Sequence, residues 1–303
     1  MLVRLPAVMD DQRAPGQGDD LRKLIEQLEL ESLEANLFRG QSRDFGTGRV
    51  FGGQVLGQAL HAAMRTVENR MAHSLHAYFL REGDHLAPII YEVDRARDGR
   101  SFSNRRVVAI QHGRPIFNMA ASFQARQDGP EHQDPIPDTP PPEALKDLRE
   151  LSATESDWMP RRYFNLLRIS SALDFRPVDP GHSLGAGARH PRQLLWMRTS
   201  ARLPDDVAAH QAFLAFLSDL GLIGMVTFPH RRPPAGFLLA SLDHAMWFHC
   251  PIRVDEWMLF DLYSPWAGGA RGFAQASVYR RDGARAATMV QEGLFRIRRA
   301  AAQ

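Results

Sequence analysis

The sequence predicts an α+β fold in which two tandem repeats, each a helix wrapped by an antiparallel sheet, join into one continuous sheet. Three observations carry this. A long helical pattern opening at Gly52 is followed by about four strand-like runs separated by tight turns. The same order, helix then strands, returns after about 170 residues, a spacing far longer than that of a solenoid repeat. Between the copies, residues 130–142 hold six prolines, which read as an extended linker. The resulting division is a disordered tail over residues 1–19, a first repeat over 20–127, the linker over 128–160 and a second repeat over 161–303.

Each element has its own justification. Residues 1–19 are polar and glycine-containing, hence the tail. From Asp20, the apolar residues Leu21, Leu24, Ile25, Leu28 and Leu33 suggest a packing helix capped by Asp19 or Asp20. Arg39 to Gly48 is turn-rich. In the next helix, Val55, Leu56, Ala59, Leu60, Ala63, Met64 and Val67 recur at helical spacing, and Gly57, Ala59, Ala62 and Ala63 keep its surface small enough for close burial against a sheet. Strands are expected at Ser74–Leu80, Ile89–Val93, Arg105–Gln111 and Pro115–Gln124, the last two joined by the turn His112–Gly113–Arg114. Ala144–Ser152 suits a short helix. The second copy then offers a strand at Gln193–Thr199, a helix over Asp205–Leu220 and strands at Phe237–Leu242, His244–Phe248, Met258–Tyr263, Gly272–Tyr279 and Ala286–Arg296. Gly113 aligns with Gly283, and Arg100 and Phe102 align with Arg271 and Phe273 with a one-residue slip.

Composition narrows the classes. The chain has 303 residues, 44% apolar and 24% charged, as in ordinary globular proteins. No uninterrupted apolar run approaches the roughly 18 residues of a membrane helix. Met1–Met9 is too short an apolar stretch for a secretory signal. The single cysteine, Cys250, forms no internal disulfide and no cysteine-based zinc site. A cytoplasmic protein is expected. The net charge is +2, all but two of the 37 basic residues are arginine (Lys23 and Lys146 are the exceptions), and no block of like charge points to nucleic acid.

Several chemistries lack their motifs. There is no Gly-x-Ser-x-Gly nucleophile elbow and no phosphate loop, and Arg189, His190 and Pro191 spoil the dinucleotide-like fragment Gly185–Ala186–Gly187. His73 and His76, or His244 and His249, have odd spacings that place each pair on opposite faces of a strand, so no metal is expected. Cys250 reads as a small buried hydrophobe unless His249 activates it. Three polar residues stand out. Asp219 ends the apolar run Phe213–Leu220, Gln291 occupies a strand position where the first copy has Ala121, and Ser241 opens Ser241–Leu242–Asp243–His244 beside Trp247 and Phe248. Taken singly, each fits a capping, packing or solvent-facing role as well as chemistry.

The segments Phe38–Ser42, Val50–Leu60, His73–Leu80, Arg97–Phe102, Asp243–His249 and Val290–Gly293, long and in order from about Leu21 to Arg296, resemble the type II acyl-CoA thioesterases. The resemblance implies a double hotdog fold, in agreement with the duplication. It also implies a water-activating trio, which by motif is Asp219, Ser241 and Gln291, with Ser241 where many bacterial members carry Thr. A fatty acyl-CoA substrate, no cofactor, and a homodimer or homotetramer follow from the same resemblance. A partly buried Asp219 has the raised pKa of a better base. Gly53, at a helix start, is the candidate oxyanion donor. His76, Arg100 and Arg271 are the further substrate-binding candidates, Arg105 and Arg106 offer cations for phosphates, and Phe51, Phe79 and Trp247 are candidates for an acyl tunnel. The rival readings are a non-catalytic acyl-CoA sensor, a hydrolase with no tie to coenzyme A, and a hotdog enoyl-CoA hydratase built on Asp243–His244. Adjacent strand residues face opposite ways, which counts against the last.

Overall fold

The computed structural model describes residues 17–154, 171–184, 188–230 and 236–298. The tail over residues 1–16, the Gly185–Gly187 fragment and the far end of the expected linker lie outside the described residues. The chain runs α1 (Gln17–Glu26), β1 (Leu30–Glu34), β2 (Leu37–Gly40), α2 (Gly52–Met64), β3 (Met71–Phe79), β4 (Ile89–Asp98), β5 (Phe102–Gln111) and β6 (Arg114–Gln124). It continues with α3 (Leu148–Thr154), β7 (Leu173–Pro177), α4 (Pro180–Leu184), β8 (Arg192–Thr199), α5 (Val207–Ser218), β9 (Phe237–Ser241), β10 (Asp243–Phe248), β11 (Met258–Gly268), β12 (Arg271–Arg280) and β13 (Arg285–Ile297).

All 13 strands belong to one antiparallel sheet, in the order β1-β2-β4-β5-β6-β3-β10-β13-β12-β11-β8-β7, with β9 on β13. The order reads the same from either side of the β3–β10 seam: β4-β5-β6-β3 meets β10-β13-β12-β11. At the seam, Ala77 stands opposite His244 and Leu75 opposite Met246. Matching hairpins close the two halves. His112 (φ 49°) and Gly113 (φ 71°) turn β5 into β6, and Gly283 (φ 89°) sits in the turn from β12 to β13.

The sheet wraps two central helices. In α2 every residue from Gly53 to Ala63 is buried, and in α5 every residue from Ala209 to Ser218. The helices lie antiparallel and very close. A Cβ at Gly53 would stand 2.4 Å from the Phe216 carbonyl oxygen, and one at Gly57 2.9 Å from that of Ala212. The glycines therefore serve helix–helix contact more than the sheet contact anticipated. The described stretch Val207–Thr227 is long and apolar enough to cross a membrane, but it is mostly buried and forms the core of the second half.

Several expectations needed adjustment. The first helix begins at Gln17, before Asp20, and Leu33 lies on the strand β1, 38% exposed. Leu37–Gly40 and Leu173–Pro177 are strands that the apolar pattern did not reveal. The short helix starts at Leu148, preceded by a 3-10 turn at Pro142–Ala144. The proline-rich segment straps itself to the second half: Gln133 donates to the Gly283 carbonyl (2.8 Å), and the Trp196 indole donates to that of Pro140 (3.1 Å). Ahead of α2, Gln54 and Gln58 donate to the Gln41 carbonyl (2.7 and 3.1 Å), fixing the turn-rich segment against the helix start.

Candidate active site

The α2 N-terminus abuts the α5 C-terminus, and three polar side chains converge there. Asp219 is the residue that caps α5, and Gly221 (φ 82°) supplies the left-handed turn that ends the helix. Asp219 is only 7% exposed and Gln291 is fully buried. Ser241 ends β9, opposite Gly293 of β13, and Gln291 lies two residues earlier on the same strand. The Gln291 Nε2 amide donates to Asp219 Oδ1 (2.6 Å) and to Ser241 Oγ (2.8 Å). The Ser241 hydroxyl in turn donates to Asp219 Oδ1 at 3.5 Å, the edge of bonding distance. The three residues predicted from sequence thus share one hydrogen-bonded cluster.

The first half completes the surroundings. The Gly53 backbone N–H lies beside the Asp219 carboxylate and favours its charged form. A Cβ at Gly52 would lie 2.7 Å from Asp219 Oδ2 and 2.9 Å from the Phe79 ring, so only glycine lets the carboxylate seat against the helix start. Burial pushes the Asp219 carboxyl up from 3.8 to about 6, while the bonds from Gln291, Gly53 and Ser241 hold it lower than burial alone would. The result is a carboxylate at neutral pH with more basicity than an exposed one. Beneath it, Ser218 donates to the Ala215 carbonyl (2.7 Å), so the His244 Nε2–H donates to Ser218 Oγ (2.9 Å). Burial holds His244 down to about 3, hence neutral.

The remaining candidates separate. Gly53 is at the site, its backbone N–H beside the Asp219 carboxylate. His76 lies on the outer face of the sheet, exposed, its ring edge-on to Trp247 at 5.2 Å. Neither it nor Trp247 reaches the cluster, because Leu75 and Ala77 are the inward residues of β3, and Met246 and Phe248 those of β10. Arg271 is also outward, paired with Glu292 at 3.3 Å, on the face opposite Gln291. Arg100 sits in the β4–β5 turn, where its carbonyl accepts from Arg70, at the far end of α2. Arg105 is buried and spends its guanidinium on Thr66, Asp98 and the Arg97 carbonyl, so it is a structural strut. Arg106, on the outer face opposite Ala120, is exposed. Phe51 and Phe79 do flank the glycine pair.

The metal and nucleophile alternatives find no support in the geometry. A bulge between Ala72 and Ser74 turns His73 outward to Ser122 (2.8 Å), so His73 and His76 share a face that strict alternation would deny them. Among the described residues, no three His, Cys, Asp or Glu side chains group to hold a metal. His249 bonds Thr288 (2.8 Å), and burial pushes the Cys250 thiol up, away from thiolate. Asp243 accepts the Glu292 N–H (2.9 Å) while its neighbour His244 faces Ser218, so the two do not form a pair. Sequence reasoning passed over two features, Gly52 as the seat for Asp219 and the Ser218–His244 pair. Signals for both were present, in the Gly–Gly pair at a helix start and in a histidine inside an otherwise apolar strand face.

Comparison with known proteins bears on the family and the fold. Residues 171–294 match the family model described as acyl-CoA thioesterase, and residues 41–124 match that of the acyl-CoA thioesterase N-terminal domain. The chain is 40% identical to human acyl-coenzyme A thioesterase 8, covering 95% of both chains. It is 37% identical to acyl-CoA thioesterase 2 of Haemophilus influenzae, covering 92% of this chain and 98% of that one. It is similar to the crystal structure of the acyl-CoA thioesterase II TesB2 from Mycobacterium marinum, with a TM-score of 0.75 and 41% identity over 90% of this chain and 98% of that one. With both halves matched and relatives aligned along nearly its whole length, the chain belongs to the acyl-CoA thioesterase family, in its double hotdog form.

Proposed function

We propose that the protein hydrolyses fatty acyl-CoA to the free acid and coenzyme A, with Asp219 as general base. A thioester has a good leaving group, so attack by water suffices and no covalent enzyme intermediate is needed. Water bound beside the cluster gives a proton to the Asp219 carboxylate as its oxygen attacks the acyl carbon. Collapse of the tetrahedral adduct breaks the C–S bond, and the departing thiolate takes up the proton. Gln291 and Ser241 hold the carboxylate and the water in register, and the close seat at Gly52 orients the base. The positive end of the α2 dipole faces the site and favours the negative charge that develops there. The observation that carries this reading is the buried Asp219 held by Gln291 and Ser241 with its pKa near 6.

The test is thiol release from acyl-CoAs of graded chain length, comparing wild type with Asp219→Asn. General-base assistance of about 10² to 10⁴ predicts a fall in kcat of two or more orders of magnitude. Equal turnover in both proteins would remove Asp219 as the base, and binding without turnover in wild type would favour a sensor. A homodimer or homotetramer belongs to the same proposal. Its support is the exposed aromatics Tyr78 (58%) and Phe102 (42%), at opposite ends of the outer sheet face of the first half, and light scattering decides it.

A further inference from the structure

The duplication creates two junctions between the central helices. One, the α2 N-terminus against the α5 C-terminus, holds Asp219, Ser241 and Gln291. The other lies at the far end, where the α5 N-terminus meets the α2 C-terminus, and strand registers identify its corresponding residues. Leu75 of β3 pairs with Ala121, the counterpart of Gln291, and Ala72 pairs with Phe123, as Ser241 pairs with Gly293. The residue capping α2 is Arg65, where α5 has Asp219. Acid, hydroxyl and amide are thus replaced by Arg65, Ala72 and Ala121, and this junction lacks the means to activate water.

It nevertheless keeps a cavity of about 140 Å³, room for roughly four or five waters at ~30 Å³ each. Two buried side chains lining it are left with bare acceptors. His61 is 2% exposed and Gln211 4%. The Leu28 carbonyl accepts from His61 Nδ1 (2.9 Å), so Nε2 carries the lone pair, and burial holds the ring neutral with its pKa lowered to about 4. Gln211 Nε2 donates to the Ala72 carbonyl (2.8 Å), which leaves Oε1. Neither His61 Nε2 nor Gln211 Oε1 has a partner, and the buried Nε of Arg70 lacks one too. Buried polar atoms are rarely left so. Arg65 and Arg70 also line the cavity, half-buried; they hydrogen-bond the main-chain carbonyls of Leu30, Gly99 and Arg100, and the Arg65 guanidinium lies over the Phe38 ring. Asp206 also lines the cavity, but its carboxylate accepts the Ala208 N–H at the start of α5. Met64 and Met71 add apolar side chains to the lining.

We propose that this second junction is a ligand site, distinct from the Asp219 site, for a short hydroxy-carboxylic acid. The hydroxyl donates to the bare acceptors, His61 Nε2 or Gln211 Oε1. The carboxylate meets Arg65 and Arg70, and the carbon chain lies against Met64 and Met71. No step of the thioester reaction takes place there. The site is what the duplication leaves when one of two equivalent junctions loses its chemistry and keeps its space.

The probe is 3-hydroxybutyrate, titrated by calorimetry into the full-length protein, with butyrate (no hydroxyl) and 1,3-butanediol (no carboxylate) as controls. Saturable binding is expected at millimolar concentrations, with each control weaker by at least about tenfold, the loss of one charge-assisted or buried hydrogen bond. Gln211→Met and Arg65→Gln are each expected to weaken binding by about the same factor. Asp219→Asn is expected to bind as wild type does, which separates this site from the catalytic one. Methyl NMR of wild type, with shifts at Met64 and Met71, locates the ligand even if a variant fails to fold. Absence of saturable binding, butyrate binding as tightly as the hydroxy acid, shifts confined to other methionines, or loss of binding in Asp219→Asn would each overturn the proposal.

Discussion

At the scale of single residues, Asp219 trades stability for basicity. Its carboxyl titrates near 6 in the folded protein and near 3.8 when exposed. The folded state therefore holds the proton more tightly than the unfolded chain does. Its contribution to stability is present below pH 3.8 and is lost as pH rises through about 6. Asp219→Asn removes this titration. The variant should unfold at higher denaturant than wild type above pH 6, by up to about 3 kcal/mol for a carboxyl held near 6 rather than 3.8, and the two should converge below about pH 4. An Asn variant less stable than wild type at pH 8 would mean that the bonds from Gln291 and Ser241 outweigh burial. The same titration sets the rate. The acid limb of kcat/KM should fall with a slope of one proton and a midpoint near pH 6, since only the ionised carboxylate accepts a proton from water. A flat profile between pH 5 and 8 is incompatible with Asp219 as the base.

Among the elements, the contact between α2 and α5 sets the geometry on which the cluster depends. Gly57 meets the Ala212 carbonyl, and its missing Cβ would also lie 3.0 Å from Leu28 Cδ2. Real Cβ atoms do not approach main-chain oxygen at 2.9 Å, so Gly57→Ala must spread the helices. The expected loss is about 1–3 kcal/mol by chemical denaturation, the usual cost of overpacking. Gly53→Ala is the harsher case, with 2.4 Å to the Phe216 carbonyl and the Asp219 contact beside it. It should depress kcat as well as stability, and an active, fully stable Gly53→Ala would show the helices free to separate. Elements of this kind were the most legible in the sequence, because α2 and α5 carry apolar residues at helical spacing and the hairpins carry His112–Gly113 and Gly283. The strands β1 and β7 were not. In β1, Leu30 is buried and the other four residues are exposed, while β7 is buried at four of its five positions, so neither alternates as a half-buried strand would. Likewise the bulge at Ala72–Ser74, which turns His73 outward, has no local signature in the residues.

For the whole molecule, the site exists only because the two halves meet. Asp219, Ser241 and Gln291 all come from the second half, yet the carboxylate is seated on Gly52 and Gly53 of the first. The sequence revealed the polar exceptions, Gln291 where the repeat has Ala121 and Asp219 at the end of an apolar helix. It did not reveal that residues 22, 50 and 72 positions apart share hydrogen bonds, since that depends on how the β9–β13 pairing and the α5 terminus converge. Nor did it separate Arg271 and His76 from the cluster, because an odd–even slip decides the face of the sheet on which a side chain emerges. The β3–β10 seam and the helix contact, rather than the covalent linker, hold the halves together. Gly129 lies in an exposed stretch of the linker with nothing within 4 Å of where its Cβ would be, so a protease site inserted there should be cleaved in the native protein. The nicked protein should elute as one species, because separating the halves would expose α2, α5 and both seam strands, an apolar loss much larger than the entropy gained on release. Its thioesterase activity should stay within about twofold of the intact chain, since Asp219 keeps its seat on the glycine pair. Dissociation on nicking, or an intact complex without activity, would instead make the linker part of what positions the site.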